Sequence, residues 1–272
     1  MVEGVICALA TPFLKDKVHF DSLVRLVEFQ KANGVDNFLV CGTTGEAPLL
    51  TEKEKEDVLR CVKDCGCKNS VLGIESPSTW GALKQMELAS KYNVKSVLVV
   101  APFFSKATKE GVLQHFLTLA NQDFATYLYN VPQRTGFDLE VNVVKELAKH
   151  KNVVGIKESG SIKNALEYAN WQNFDLFCGE DALLPIYKSI GAKGCVSALC
   201  NVFPRWTVNT WQNKNEKHWQ KACKVAFGEV NPVVVKHLLK RLDVFISDEC
   251  RTPLSKANSA SVKAVDKFLR EI

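Results

Sequence analysis

The stretch VVGIKESG, residues 153–160, reads as a strand that ends in chemistry. Val153 to Ile156 suit a strand buried on both faces, and the run then stops at a lysine, a glutamate and a Ser-Gly pair. The same plan recurs on either side of it, an apolar run followed by an end bearing Gly, Pro, Ser or Thr. It is found at GVICALATPF (4–13), NFLVCGTTGE (37–46), SVLGIES (70–76), SVLVVAPFF (96–104), FATYLYNVP (124–132), FDLFCGED (174–181) and GCVSALCNV (194–202). With residues 153–160, the runs number eight.

Helix-like segments separate them. DSLVRLVEFQKANG sets Asp21 as N-cap and Gly34 as C-terminal stop, and TEKEKEDVLRCVKDCG opens with Thr51 and Glu54 at capping-box spacing. LEVNVVKELAKH and SIKNALEYANW fill later slots. Eight strand–helix units over roughly 200 residues predict an α/β fold of the (β/α)8 TIM-barrel type. A doubly wound open sheet would carry G-x-G-x-x-G after a strand, and the sequence has none. Beyond about Asn213 the strand pattern stops, and HWQKACKVAFGEV, NPVVVKHLLKRL and SASVKAVDKFLREI read as three further helices. The expected organisation is a barrel catalytic domain over 1–212 and a C-terminal helical extension over 213–272 packed on it.

Composition narrows the function classes. Hydrophobic residues make up 46% and charged residues 24%, the balance of a soluble globular chain. No window approaches the roughly 18–20 apolar residues that span a bilayer. Glu3 and Gly4 interrupt what would have to be a signal peptide, so a cytoplasmic protein is expected. The ten cysteines then read as reduced thiols. Cys61, Cys65 and Cys67 lie close together, but zinc wants four ligands and no histidine is near, so no metal is expected. A net charge of +5 without a Lys/Arg block interleaved with aromatics argues against a nucleic-acid partner and fits small anionic ligands.

In a barrel the C-terminal strand ends meet on one face. Those ends carry Gly42-Thr43-Thr44-Gly45-Glu46, Pro102-Phe103-Phe104, Tyr129-Asn130-Val131-Pro132 with Arg134 behind, Lys157-Glu158, Gly179-Glu180-Asp181 and Val196-Ser197. An amine over an apolar core is partly desolvated, which favours its neutral form. A neutral Lys157 can attack a ketone and form a Schiff base whose iminium is an electron sink. Tyr129 suits the proton transfers, the GTTGE turn suits a carboxylate, and Arg134 can clamp a second carboxylate. Glu158, next along the strand, should face the opposite side. Each residue also has a plain alternative. Lys157 could snorkel, Thr43 and Glu46 could cap the next helix, Tyr129 could be core and Arg134 a solvated charge. Their joint arrival at one face points to a class I aldolase acting on a 2-oxo acid.

GTTGE, YNVPQRTG, GIKESG and NPVVVKHLL together resemble the dihydrodipicolinate synthase and N-acetylneuraminate lyase superfamily, from ALATPF to RTPLS. The resemblance implies that Lys157 forms the Schiff base with pyruvate and that Tyr129 relays protons in line with Thr43. It implies that the backbone at Thr43 and Thr44 holds pyruvate's carboxylate, and that Arg134 receives that of L-aspartate 4-semialdehyde. The carbonyls of Gly179 and Val196 would line the site, no cofactor or metal would be needed, and the chain would be a homo-oligomer, dimer or tetramer. Thr43 and Arg134 favour the synthase branch, a lyase making 4-hydroxy-tetrahydrodipicolinate in lysine and diaminopimelate biosynthesis. The alternatives are a related pyruvate aldolase acting on a 2-keto-3-deoxy sugar acid or sialic acid, and a catalytically silent paralogue acting as a scaffold. Two departures stand out. The synthases' Pro-Tyr-Tyr is Pro102-Phe103-Phe104 here, so a relay hydroxyl supplied to the neighbouring subunit is missing; a water or Ser105 could substitute. The segments matching the lysine-inhibitor site, Ala47-Pro48-Leu49 and Glu75-Ser76-Pro77-Ser78, predict weak or absent lysine inhibition.

Overall fold

The computed structural model describes residues 2–214 and 216–272. A strand lies inside each of the eight runs or within one residue of it: β1 (Gly4–Ala8), β2 (Asn37–Val40), β3 (Asn69–Ile74), β4 (Ser96–Val100), β5 (Ala125–Asn130), β6 (Val153–Glu158), β7 (Asp175–Cys178) and β8 (Gly194–Ser197). They close into a barrel in the order β1-β8-β7-β6-β5-β4-β3-β2, the order of the chain, as right-handed strand–helix–strand connections require. The strands stop short of the C-terminal ends of most runs. There the backbone turns away: Cys41 takes φ +55, and Pro102 cannot donate to a ladder.

By contact density the chain forms two compact units, residues 2–4 with 70–196, and Val5–Asn69 with Ser197–Ile272. In the first, parallel registers pair Val71 with Ser96, Leu98 with Tyr127, Tyr129 with Lys157, Lys157 with Phe177 and Cys178 with Cys195. All five residues of β4 are buried, as a sheet covered on both faces demands. Its helices Thr79–Lys91 and Lys109–Ala120 start where the Ser78 and Thr108 side chains accept the N–H groups of Gly81 and Gly111.

In the second unit, β1 pairs with β2 through Ile6–Asn37 and Ala8–Leu39. Thr51 and Glu54 form the expected capping box at the head of helix Glu52–Asp64. Asp21 does not cap the preceding helix. That helix begins at Phe20, and the His19 ring accepts from Ser22 N, so Asp21 sits in the first turn, where its charge still meets the helix dipole. Gly34, at φ +82, follows the Asn33 cap as the expected stop. Three helices lie in the predicted C-terminal segments, at Trp219–Ala226, Val233–Arg241 and Ser259–Leu269. Val233 to Leu239 are buried without interruption, Lys236 among them. No described helix is long and apolar enough to cross a membrane.

Candidate active site

In the first unit, the β5–β6 register sets Tyr129 beside Lys157 and Asn130 beside Glu158. Lys157 is 6% exposed, with Nζ 4.0 Å from the centroid of the Tyr129 ring. An ammonium is attracted to such a ring face, and the contact sets the amine and the phenol ring side by side. Strand alternation turns Asn130 and Glu158 the other way. Glu158 is fully buried and accepts from Asn130 Nδ2 at 3.0 and 3.1 Å, Gly160 N at 2.5 Å and Ser161 N at 3.0 Å. Burial raises its pKa despite those bonds. Lys157 and Glu158 therefore do separate work, the first facing Tyr129 and the second tying strand ends together.

Asn130 extends that tie. Its Nδ2 also donates to Asp138 Oδ1 at 2.8 Å, and its Oδ1 accepts from Leu139 N at 3.0 Å. Between these anchors lies the helical turn Pro132–Thr135, with Arg134 exposed on it and Gly136 leaving at φ +66. One amide thus holds the Lys157 strand and the segment that follows Arg134. Gly179 donates to Glu158 O at 2.9 Å, and a Cβ at Gly179 would meet Ser159 Oγ, Lys157 Cε at 2.9 Å and the Glu158 carbonyl at 3.0 Å, so the close approach needs glycine. Burial raises the pKa of the adjacent Glu180 carboxyl, with Lys157 and Arg134 opposing the rise. Val196 is buried one residue beyond the Cys195–Cys178 pair. Phe104 is 94% exposed, and Ser105, also exposed, donates its N–H to Phe103 O at 2.8 Å.

In the second unit, Gly42 to Glu46 form a tight turn. Gly45 N donates to Gly42 O at 2.9 Å and Glu46 N to Thr43 O at 3.0 Å. Thr44 is buried and Thr43 half-buried. Glu46 does not cap the next helix, a role that Thr51 fills. It sits at φ +55, fully covered, with Oε1 accepting from Lys236 Nζ at 2.6 Å and Oε2 from Arg251 N at 2.9 Å. Asn130, Asp138, Lys236 and Arg251 were not among the sequence candidates. Lys236 did leave a signal, since a lysine inside VVVKHLL must find a buried partner.

Among the described residues, no group of three or more His, Cys, Asp or Glu side chains is placed to hold a metal ion. Burial pushes the Cys61 and Cys67 thiols up to about 11.

The family model described as the Dihydrodipicolinate synthetase family matches residues 1–272. A curated protein of Hydrogenobaculum sp. named 4-hydroxy-tetrahydrodipicolinate synthase is 36% identical, over 100% of this chain and 99% of its own. One of the same name from Geobacter metallireducens is 34% identical, with the same shares covered. The solved dihydrodipicolinate synthase from Aquifex aeolicus superposes with a TM-score of 0.92 at 30% identity, over 99% of this chain and 98% of that one.

Proposed function

This chain belongs to the dihydrodipicolinate synthetase family, and from that premise we propose that it is the lyase that condenses pyruvate with L-aspartate 4-semialdehyde, giving 4-hydroxy-tetrahydrodipicolinate for lysine and diaminopimelate biosynthesis. The observation that carries the reading is the buried Lys157 amine 4.0 Å from the Tyr129 ring. The neutral Lys157 amine adds to the pyruvate ketone, and the carbinolamine loses water to give an iminium. Loss of a C3 proton gives an enamine, which attacks the aldehyde carbon of the second substrate. The semialdehyde's amine then adds to C2 of the regenerated iminium and expels the Lys157 amine, which closes the ring and frees the enzyme. Tyr129 and Thr43 move the protons in these steps. The turn at Thr43 and Thr44 holds pyruvate's carboxylate, Arg134 holds that of the semialdehyde, and the carbonyls of Gly179 and Val196 line the site.

The iminium is the electron sink, so the reaction calls on neither cofactor nor metal. Residues 1–212 are the catalytic barrel and 213–272 its helical extension. The protein works in the cytoplasm as a homo-oligomer, dimer or tetramer, on small molecules alone. Borohydride reduction in the presence of pyruvate tests the reading. It should add one reduced pyruvate to Lys157, seen by peptide mass, and none to Lys157→Met. An unmodified wild-type Lys157 would sink the proposal. Turnover of pyruvate with a sugar aldehyde in preference to aspartate semialdehyde would move the assignment to another aldolase.

A further inference from the structure

The segment from Asn231 to Arg251 sends three groups to the Thr43–Glu46 turn, all within the second unit. Asn231 Nδ2 donates to Thr44 Oγ1 at 2.9 Å. Lys236 Nζ donates to Glu46 Oε1 at 2.6 Å, with both side chains fully buried, and it lies 4.3 Å from the centroid of the Phe13 ring. The backbone N–H of Arg251 takes the other Glu46 oxygen, and its guanidinium reaches Leu49 O at 2.9 Å, just past the turn. A buried ion pair is weak evidence for stability, but parting its members leaves an uncompensated buried charge, so the two side chains stay together. Here it fixes Glu46 in a left-handed conformation that a glutamate does not choose by itself.

The Asn231 bond has a chemical consequence. A threonine hydroxyl has one hydrogen and two lone pairs. When an amide N–H fills one lone pair, the hydroxyl hydrogen cannot return to that nitrogen and is left to be donated elsewhere. We infer that Asn231 is a positioning residue for the carboxylate subsite. Its amide occupies Thr44 Oγ1 and so commits the Thr44 hydroxyl hydrogen to the substrate carboxylate, while Lys236 and Arg251 hold the turn through Glu46. The inference rests on the proposed pyruvate chemistry and extends it to residues nearly two hundred positions away in sequence.

Asn231→Asp tests it, because the shape is kept and the donor is lost. The introduced carboxylate accepts the Thr44 hydroxyl and repels a bound carboxylate. The KM for pyruvate should rise about tenfold or more, the size expected for a lost hydrogen bond to a charged group. The kcat at saturating pyruvate and the KM for the semialdehyde should stay within about threefold of wild type. The excess in pyruvate KM, taken as a ratio to wild type at each pH, should shrink on acidification, as the introduced carboxyl regains a proton to donate. A purely structural role would move kcat and the thermal midpoint over the same pH range, so a rescue confined to the pyruvate KM separates the two. Asn231→Ala adds no charge and should raise the pyruvate KM several-fold; thermal melts of both variants establish that they are folded. A wild-type pyruvate KM in either folded variant, or a loss confined to kcat, overturns the inference. Failure of wild type to form the Lys157 adduct is the separate outcome in which the underlying reading falls, and this inference with it.

Discussion

Phe104 holds its backbone at φ +71 and leaves its ring 94% exposed, two things a phenylalanine does not do by preference. A bulky residue in that region costs on the order of 1 kcal/mol or more, so the surrounding segment must impose the shape. The resemblance of the Pro102-Phe103-Phe104 segment to Pro-Tyr-Tyr implies a tyrosine hydroxyl in the proton relay at this position. A phenylalanine keeps the ring and loses the proton carrier. Phe104→Tyr is therefore expected to change the stability of the single chain by less than about 0.5 kcal/mol, since the ring is exposed there. It should raise kcat at least about threefold, a small part of what a positioned acid–base group can supply, with the pyruvate KM little altered. Steady-state kinetics beside a thermal melt checks both halves. An unchanged kcat would show that the relay here runs without a hydroxyl at that position.

At the scale of elements, helix Glu52–Asp64 shows what local spacing reveals and what it hides. The Thr51–Glu54 capping box was readable because both partners lie within four residues. That Glu54 also takes two bonds from Arg251, at 2.7 and 2.5 Å, was not readable, since the partner is 197 positions away. The same holds for Asn130, whose bonds to Glu158 and Asp138 form only once β5 and β6 are in register. His19 defeated the reading for another reason, because a ring nitrogen seldom caps a helix and Asp21 offered the commoner cap. Hydrogen bonds from Arg251, opposed by burial and aided by Thr51, lower the Glu54 pKa from 4.5 to about 2. A depressed carboxyl stabilises the fold above its unfolded value and loses that contribution as pH falls through the folded one. Glu54→Gln should thus destabilise by about 1 kcal/mol at pH 7, the upper end for a partly exposed pair. The gap should close between pH 4.5 and about 2, measured as paired denaturation midpoints. A gap that stays constant over that range would assign the loss to packing instead of charge.

At the scale of the molecule, the barrel was legible because strands buried on both faces repeat as apolar runs, and eight runs with helices between them leave few closed topologies. The grouping of Ser197–Ile272 with Val5–Asn69 was not, because it depends on side chains such as Lys236 and Arg251 finding Glu46 and Glu54. Regulation follows from the whole chain in the same way. Free lysine carries two ammonium groups and a carboxylate, and a site for it must replace their hydration with polar partners. In the second unit, Ala47-Pro48-Leu49 offers no polar side chain, and the Leu49 carbonyl already receives Arg251. In the first unit, Ser76 donates to Ser78 O, Ser78 receives Gly81 N, and the Glu75 backbone is tied at both ends to Gln85. Phe103 contributes a ring without a hydroxyl. Glu75 is the one charged side chain in these two segments, and a single ion pair near solvent is worth about 1 kcal/mol or less. L-lysine is therefore expected to bind more weakly than about 1 mM, or less than about 4 kcal/mol. Calorimetric titration of the pyruvate-loaded enzyme, run beside a turnover assay, measures it directly. Saturable inhibition well below that concentration would mean that polar groups outside these two segments build the site.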